Sequence, residues 1–150
     1  MTATPYRLHQ SLGYQLSLAA RLQERRLEDG LRRLGLTRIT WCVLLAVGNE
    51  GLSQPSEIAG FVGIDRTAAS RALRQMEAAG LIARRAGTGD RRTRSVVMTP
   101  LGRDLLGRGT PLAENNNSVM EERLTDRESD ELRRLLTKLR AGEDMDLPRL

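Results

Sequence analysis

Residues 55–80 read PSEIAGFVGIDRTAASRALRQMEAAG, and they carry the clearest pattern of secondary structure in the chain. Pro55 suits the first position of a short helix. Asp65 is a good N-cap for a second helix over residues 66–79, and Gly80 follows where a left-handed residue is wanted. Two short helices with a tight link between them predict a helix-turn-helix.

The second of these helices has two different faces. Ala69, Leu73 and Met76 repeat at the i, i+4, i+7 spacing of a buried stripe. The opposite arc carries five polar or basic side chains, which are Arg66, Thr67, Ser70, Arg71 and Arg74. Because the major groove of B-DNA admits one α-helix, we predict that this arc supplies phosphate donors and base readers.

A basic hairpin follows. Two short strand candidates, residues 81–85 and 93–98, flank a loop that contains two glycines, which is typical of a β-hairpin. Its strands and tip carry five arginines, Arg84, Arg85, Arg91, Arg92 and Arg94. Asp90 is the one acid among them, and we interpret it as orienting a nearby guanidinium, since a carboxylate facing phosphates would repel them.

The N-terminal side of this unit is helical. Residues 6–34 place leucines three and four positions apart, which predicts a long amphipathic helix. Residues 37–49 contain the run from Trp41 to Val47, apolar nearly all round, so that this helix should be buried.

The C-terminal side predicts two more helices. Thr99 and Pro100 begin the first, but its glycines and Pro111 oppose helix formation, and we expect a kink or break near Thr110 and Pro111. Thr125, with a glutamate three residues later, fits a capping box for the last helix. Its apolar stripe consists of Leu132, Leu135, Leu136 and Leu139.

The charge is uneven along the chain. The formal charge is +5, but residues 61–108 hold ten basic and four acidic side chains, while residues 109–150 hold seven basic and ten acidic ones. A solvated basic face is the plain interpretation of any single arginine. For the basic side chains of the two helices and the hairpin taken together, binding to a polyanionic partner is the better hypothesis.

Several classes of protein are excluded by composition. One cysteine, Cys42, and one histidine, His9, cannot form a disulfide or a soft-ligand metal site within one subunit. No catalytic constellation and no cofactor motif emerges, so that we expect no enzymatic activity, no cofactor and no metal. No segment is apolar enough to span a membrane and no secretory signal begins the chain, which predicts a soluble, cytoplasmic protein.

These residues together resemble the MarR family of bacterial transcription regulators. The most specific match is the run from Asp90 to Gly102, DRRTRSVVMTPLG, which fits the family's wing pattern of Asp-x-Arg, an apolar strand and Thr-x-x-Gly. Leu36-Thr37 before the tryptophan, residues 55–59 and 63–67, Gly80-Leu81-Ile82 and Leu124-Thr125 also match. Thr40 stands where the family often has Gln, and the first helix lacks the reactive cysteine of the peroxide-sensing members.

The resemblance implies a mainly α fold with a small β-hairpin wing, a winged helix-turn-helix flanked by N- and C-terminal dimerisation helices. We assign residues 1–35 to an N-terminal dimerisation helix, 36–100 to the DNA-binding domain, 101–142 to C-terminal dimerisation helices and 143–150 to a disordered tail. The leucine stripes of the first and last helices need covering, and packing them against a second copy would bury both.

The implied function is that of a homodimeric regulator of transcription, a repressor that binds a palindromic site on double-stranded DNA. The wing tip would enter the minor groove, with Arg92 inserted there. The family also implies relief by a small-molecule effector, an aromatic acid or other lipophilic anion, although no residue identifies its site. A sequence-tolerant architectural DNA binder is the alternative, and a small enzyme or ligand carrier that reuses the fold is a third.

Overall fold

The computed structural model describes residues 3–86 and 94–144. Within these ranges, the chain forms six α-helices and one two-stranded antiparallel sheet. In chain order, the elements are a 3-10 turn at Leu8–Gln10, α1 (Leu12–Arg32), α2 (Arg38–Gly48), α3 (Pro55–Val62), α4 (Arg66–Ala78), β1 (Ile82–Ala86), β2 (Arg94–Met98), α5 (Pro100–Glu121) and α6 (Asp126–Arg140). The expected fold class, mainly α with a winged helix-turn-helix, is confirmed.

The helix caps read from the sequence are present. Asp65 accepts a hydrogen bond from the backbone N–H of Ala68 at 2.7 Å, and Thr99 accepts one from Gly102 at 3.1 Å. Thr125 forms a reciprocal capping box with Glu128. These short side chains satisfy backbone donors that the first turn of a helix leaves unpaired.

Thr40 has a structural task of its own. Its hydroxyl accepts from the backbone N–H of Thr37 at 2.9 Å, while its own N–H donates to the Thr37 hydroxyl at 3.2 Å. The two threonines therefore form the capping box that begins α2. Thr40 is buried, and the hydrogen bond with Thr37 satisfies its hydroxyl there.

The first helix begins later than the sequence pattern predicts. Residues 6–11 are not α-helical, because Ser11 is the N-cap, accepting from the N–H of Tyr14 at 3.3 Å. Its hydroxyl also donates to the carbonyl of Leu8 at 2.8 Å, which holds the preceding 3-10 turn. Serine offers the backbone this local alternative, which helical periodicity alone does not reveal.

Of the kink or break expected near Thr110 and Pro111, the break is wrong. Helix α5 runs through Pro111 from residue 100 to residue 121. The Thr110 hydroxyl donates to the carbonyl of Leu106 at 2.8 Å, and buried residues lie on both sides of the proline, at Gly109 and Asn116. Packing of those flanks outweighs the missing hydrogen bond of proline and the low helix propensity of the glycines.

One apolar core joins the first five helices to the sheet. The two strands pair antiparallel, with Ile82 opposite Met98 and Ala86 opposite Arg94. Ile82 and Val96 are buried on the side of the sheet that faces the helices, and the N–H of Val96 donates to the carbonyl of Ser53 at 2.8 Å. The base of the hairpin is thereby fixed to the segment that precedes α3.

Helix α6 and the first half of α1 keep apolar stripes that nothing in the described chain covers. Helix α6 has no buried residue. Its four stripe leucines are 36% to 53% exposed, and Leu12 and Leu16 of α1 are 69% and 42% exposed. Across residues 3–86 and 94–144, no helix is both long and apolar enough to cross a membrane.

Candidate nucleic-acid interface

Helix α4 divides into the two faces that its sequence predicts. Ala69, Leu73 and Met76 are all at most 1% exposed and pack into the core. The five residues of the opposite arc are exposed, and they are Arg66, Thr67, Ser70, Arg71 and Arg74. The buried face anchors the helix and leaves the other side open along its length.

The preceding helix holds α4 in place from one side. Ile58, Ala59 and Val62 of α3 are buried against the same core. Helix α3 ends at Gly63, whose φ of 79° is left-handed, so the chain turns sharply before Asp65 caps α4. The two helices therefore form the compact pair of a helix-turn-helix.

The arginines of β1 point to different sides of the hairpin. Arg85 is exposed, as is Arg94 on the facing strand. The Arg84 side chain is only 23% exposed, and its Nε lies 3.0 Å from Oε2 of Glu77 on α4. That Nε is buried and forms no well-aligned hydrogen bond, so its closeness to Glu77 is an electrostatic contact.

Sequence reasoning missed Glu77. It lies in the last turn of α4, seven positions before Arg84, and the turn at Gly80 separates the two. Spacing rules apply within one helix or one strand pair, and no such rule joins a helix to the strand after it. The sequence signal that could have drawn attention to Glu77 is the presence of an acid next to the basic arc of the same helix.

A groove of about 420 Å³ lies where α3, α4 and β1 meet. Its walls are formed by seven residues, Pro55, Ser56, Arg66, Ala69, Ser70, Leu73 and Arg84. Two arginines and two hydroxyls thus face one depression beside the predicted reading arc. Arginine has only hydrogen-bond donors, which makes such a surface attractive to anions.

Three predicted wing residues lie outside the described residues: Asp90, Arg91 and Arg92. The structure accordingly describes two groups of the predicted interface, the arc on α4 and the arginines of the two strands.

The arginines of this region differ from those elsewhere in their partners. Arg38 pairs with Glu24 and Glu28 at 2.8 and 2.7 Å. In α6, Arg133 and Arg134 pair with nearby acids, so acids of the C-terminal third are engaged locally. By contrast, no ion pair with another described residue is formed by Arg66, Arg71, Arg74, Arg85 or Arg94. Their positive charge is not neutralised within the described part of the chain.

Two further side chains with reactive groups, Cys42 and His9, lie outside this interface. Burial raises the pKa of the Cys42 thiol, against a smaller opposing effect of the Arg38 charge, so Cys42 is a packed and poorly nucleophilic thiol. His9 is exposed and lies against the Tyr14 ring, with 4.9 Å between ring centroids. Among the residues with described positions, no group of three or more His, Cys, Asp or Glu could hold a metal ion.

Comparison with known proteins agrees with this arrangement. Residues 34–93, which hold α2 to α4 and β1, match the model described as the MarR family. The chain has the fold of BpsR from Bordetella bronchiseptica, whose DNA binding is regulated by 6-hydroxynicotinic acid, with a TM-score of 0.84, 24% identity, and coverage of 93% of this chain and 100% of that one.

Two further solved structures are similar over most of their length. A probable transcriptional regulator from Pseudomonas aeruginosa matches with a TM-score of 0.80 and 27% identity over 89% of this chain and 99% of that one. A MarR variant from E. coli complexed with operator DNA matches with a TM-score of 0.78 and 23% identity, over 85% and 92% respectively.

Proposed function

We propose, from the match of residues 34–93 to the MarR family model and from the shared fold, that this chain is a homodimeric, sequence-specific DNA-binding regulator of that family. In this proposal it represses transcription by occupying a palindromic operator on double-stranded DNA in the bacterial cytoplasm. Binding of a small molecule relieves this repression. We also propose that the protein has no enzymatic activity.

The observation that carries the proposal is the unpaired basic arc of α4. Arg66, Arg71 and Arg74 lie on one exposed side of a helix whose other side is fixed in the core. A guanidinium can bind guanine through two hydrogen bonds, and Thr67 and Ser70 between the arginines adapt to either base or phosphate. In this proposal α4 is the recognition helix.

The hairpin is the second contact in the proposed complex. Arg85 and Arg94 lie on neighbouring strands close to its far end, where Arg85 faces Ser95 and Ala86 faces Arg94 across the ladder. A basic hairpin suits the narrow minor groove of A·T-rich DNA, where the negative potential is strongest. Arg91 and Arg92 at the tip, with Asp90 orienting a guanidinium, belong to this proposal.

The uncovered leucines support the dimer. Leu132, Leu135, Leu136 and Leu139 of α6 and the leucines of the first half of α1 would be buried by a second copy. Burial of each leucine contributes roughly 1.5–3 kcal/mol. A two-fold axis through these helices relates the recognition helices of the two protomers. The two helices would then contact half-sites about one turn of DNA apart, so we expect the operator to be a near-palindrome.

Regulation by a small molecule is proposed from the similarity to BpsR. Its DNA binding is regulated by 6-hydroxynicotinic acid, an aromatic acid. An effector of that class would act here by binding better to a form of the dimer whose two recognition helices do not fit the operator spacing. Calorimetry with aromatic acids, with and without DNA, tests this part separately.

Selection of bound sites from random duplexes tests the main proposal. We expect one enriched motif with two-fold symmetry and half-sites separated by about 10 base pairs. Binding to that motif and to a scrambled duplex is then compared across salt concentrations. Equal affinity for both would indicate a sequence-tolerant architectural binder instead, and absence of binding at low salt would refute a DNA-binding function.

A further inference from the structure

An acid lies beside the groove between α3, α4 and β1, in a place that is unexpected for a DNA-binding surface. Glu77 approaches Arg84 at 3.0 Å, and Arg84 lines the groove together with Arg66 and Ser70. The Glu77 side chain is 44% exposed, so it adds negative charge to a surface that should attract phosphates. Charge alone therefore makes Glu77 unfavourable here.

The geometry gives Glu77 a different role. Nε of Arg84 is buried and held next to the carboxylate, while Arg84 also forms part of the groove wall. An arginine side chain otherwise loses much rotamer freedom when it binds a phosphate. A carboxylate that holds the guanidinium beforehand removes part of that entropic loss from the binding step.

The contact also joins two elements that the DNA must meet together. Glu77 lies on α4, the proposed recognition helix, and Arg84 on β1 at the base of the hairpin. Arg66 in the first turn of α4 and Ser70 one turn later complete the donors on the other wall. Donors from three points of the chain, with two positive charges, suit the two non-bridging oxygens and single negative charge of a backbone phosphate, since each oxygen can accept more than one hydrogen bond.

We propose that this groove seats one phosphate of the DNA backbone, and that Glu77 is a positioning residue that holds Arg84 in its wall. The inference rests on the proposed DNA-binding function and adds to it a named site and a named acid. It predicts that an acidic residue strengthens the binding of a polyanion.

Removing the charge of Glu77 tests the sign of this effect. For the selected operator, we expect Glu77→Gln to weaken binding by about threefold, the effect of a partly exposed ion pair. Glu50→Gln is the matched control, since Glu50 is an exposed acid of the same domain whose side chain pairs with no described residue. It should bind as tightly as the wild type or slightly more tightly. Tighter binding by Glu77→Gln would overturn the positioning role.

A second set of variants shows whether Glu77 acts through Arg84. In the Arg84→Gln background, Glu77→Gln should bring no further loss of affinity. Arg84→Lys keeps the charge but not the fork, and it should recover less than half of the affinity that Arg84→Gln loses. Equal losses from Glu77→Gln in both backgrounds would overturn the coupling. Thermal melts of each variant establish that it is folded.

Methylphosphonates identify the source of the bound phosphate. Each backbone position of the operator is replaced in turn by the neutral methylphosphonate. The wild type should lose affinity at several positions, and Arg84→Gln should become insensitive at one of them in each half-site. If no position behaves in this way while inorganic phosphate competes with DNA through Arg84, the groove binds a free anion and the backbone assignment is overturned.

Different experimental results would refute the phosphate seat and the DNA-binding function on which it rests. A wild-type protein that binds no duplex refutes the DNA-binding function and the phosphate seat together. A wild-type protein that selects an operator, with the wrong response of Glu77→Gln or of the methylphosphonates, overturns only the phosphate seat.

Discussion

Gly109 of α5 lies directly against the ring of Trp41 in α2. A methyl group at position 109 would come within 2.8 Å of the ring atom Cε3 and would overlap its neighbour Cζ3. Trp41 is buried in the core and has no open side to which it could shift. The absence of a side chain at 109 is therefore what allows α5 to cross α2 at this distance.

We predict that Gly109→Ala lowers the free energy of unfolding by about 1–3 kcal/mol, the usual effect of overpacking a core. Gly107→Ala is the control, since Gly107 lies on the exposed side of the same helix with no atom near its added carbon. Alanine is the better helix former there, and the control should gain roughly 0.5–1 kcal/mol. Urea titrations at one protein concentration measure both. A gain of stability in both variants would show that helix propensity, not the Trp41 contact, governs position 109.

Asn116 is the second site where α5 depends on a distant residue. Its Oδ1 accepts from Nε of Arg26 at 2.7 Å, and its Nδ2 donates to Gln23 at 3.1 Å, both on α1. We predict that Asn116→Ala destabilises the protein by about 1–3 kcal/mol, because two partly buried polar groups lose their partner. Asn117→Ala is the control, since Asn117 is exposed, and it should be neutral or stabilising. Equal thermal midpoints for the two variants would contradict a structural role of this cluster.

These two positions show which parts of the fold the sequence predicts and which it does not. Caps such as Asp65 and Thr125 were found because the donor and acceptor lie three residues apart. The continuity of α5 was missed because its cause, the fit of Gly109 against Trp41, joins residues far apart in the chain. The same holds for the interface, since the arc on α4 follows from helical periodicity whereas the contact of Glu77 with Arg84 requires the turn geometry between helix and strand.

The exposed leucine stripe of α6 predicts that this helix lies in the dimer interface. Leu139 is 53% exposed, so that Leu139→Glu should leave the protomer folded while placing a charge in the proposed interface. We expect the dimer to dissociate at a protein concentration at least about tenfold higher than for the wild type, given the energy of burying one leucine. Thr137→Glu adds the same charge on the opposite side of the helix and should not change dissociation. Sedimentation equilibrium measures the dimer dissociation constant of all three proteins. If Leu139→Glu has the same dissociation constant as the wild type, the interface lies elsewhere.

The buried thiol gives a pH dependence with a definite sign. Burial raises the pKa of Cys42 in the folded protein above its value in the unfolded chain. The thiol therefore contributes stability below its unfolded pKa, and that contribution is lost as the pH rises toward the higher folded pKa. We predict that the free energy of unfolding falls more steeply above the unfolded pKa in the wild type than in Cys42→Ala. Parallel curves from urea titrations at a series of pH values would show that Cys42 ionises equally in both states.

Arg71 lies in the middle of the exposed arc of α4, and the proposed function makes it a base reader. We predict that Arg71→Ala reduces discrimination at about one base pair of each half-site by roughly 1–3 kcal/mol, because a two-pronged contact to guanine is lost. Arg92→Ala should instead weaken binding with less loss of major-groove specificity. Arg108→Ala is the control, since Arg108 pairs with Asp104 on α5, away from this arc. Fluorescence anisotropy on the operator and its single base-pair variants measures each profile, and an unchanged profile for Arg71→Ala would mean that another face of the protein reads the bases.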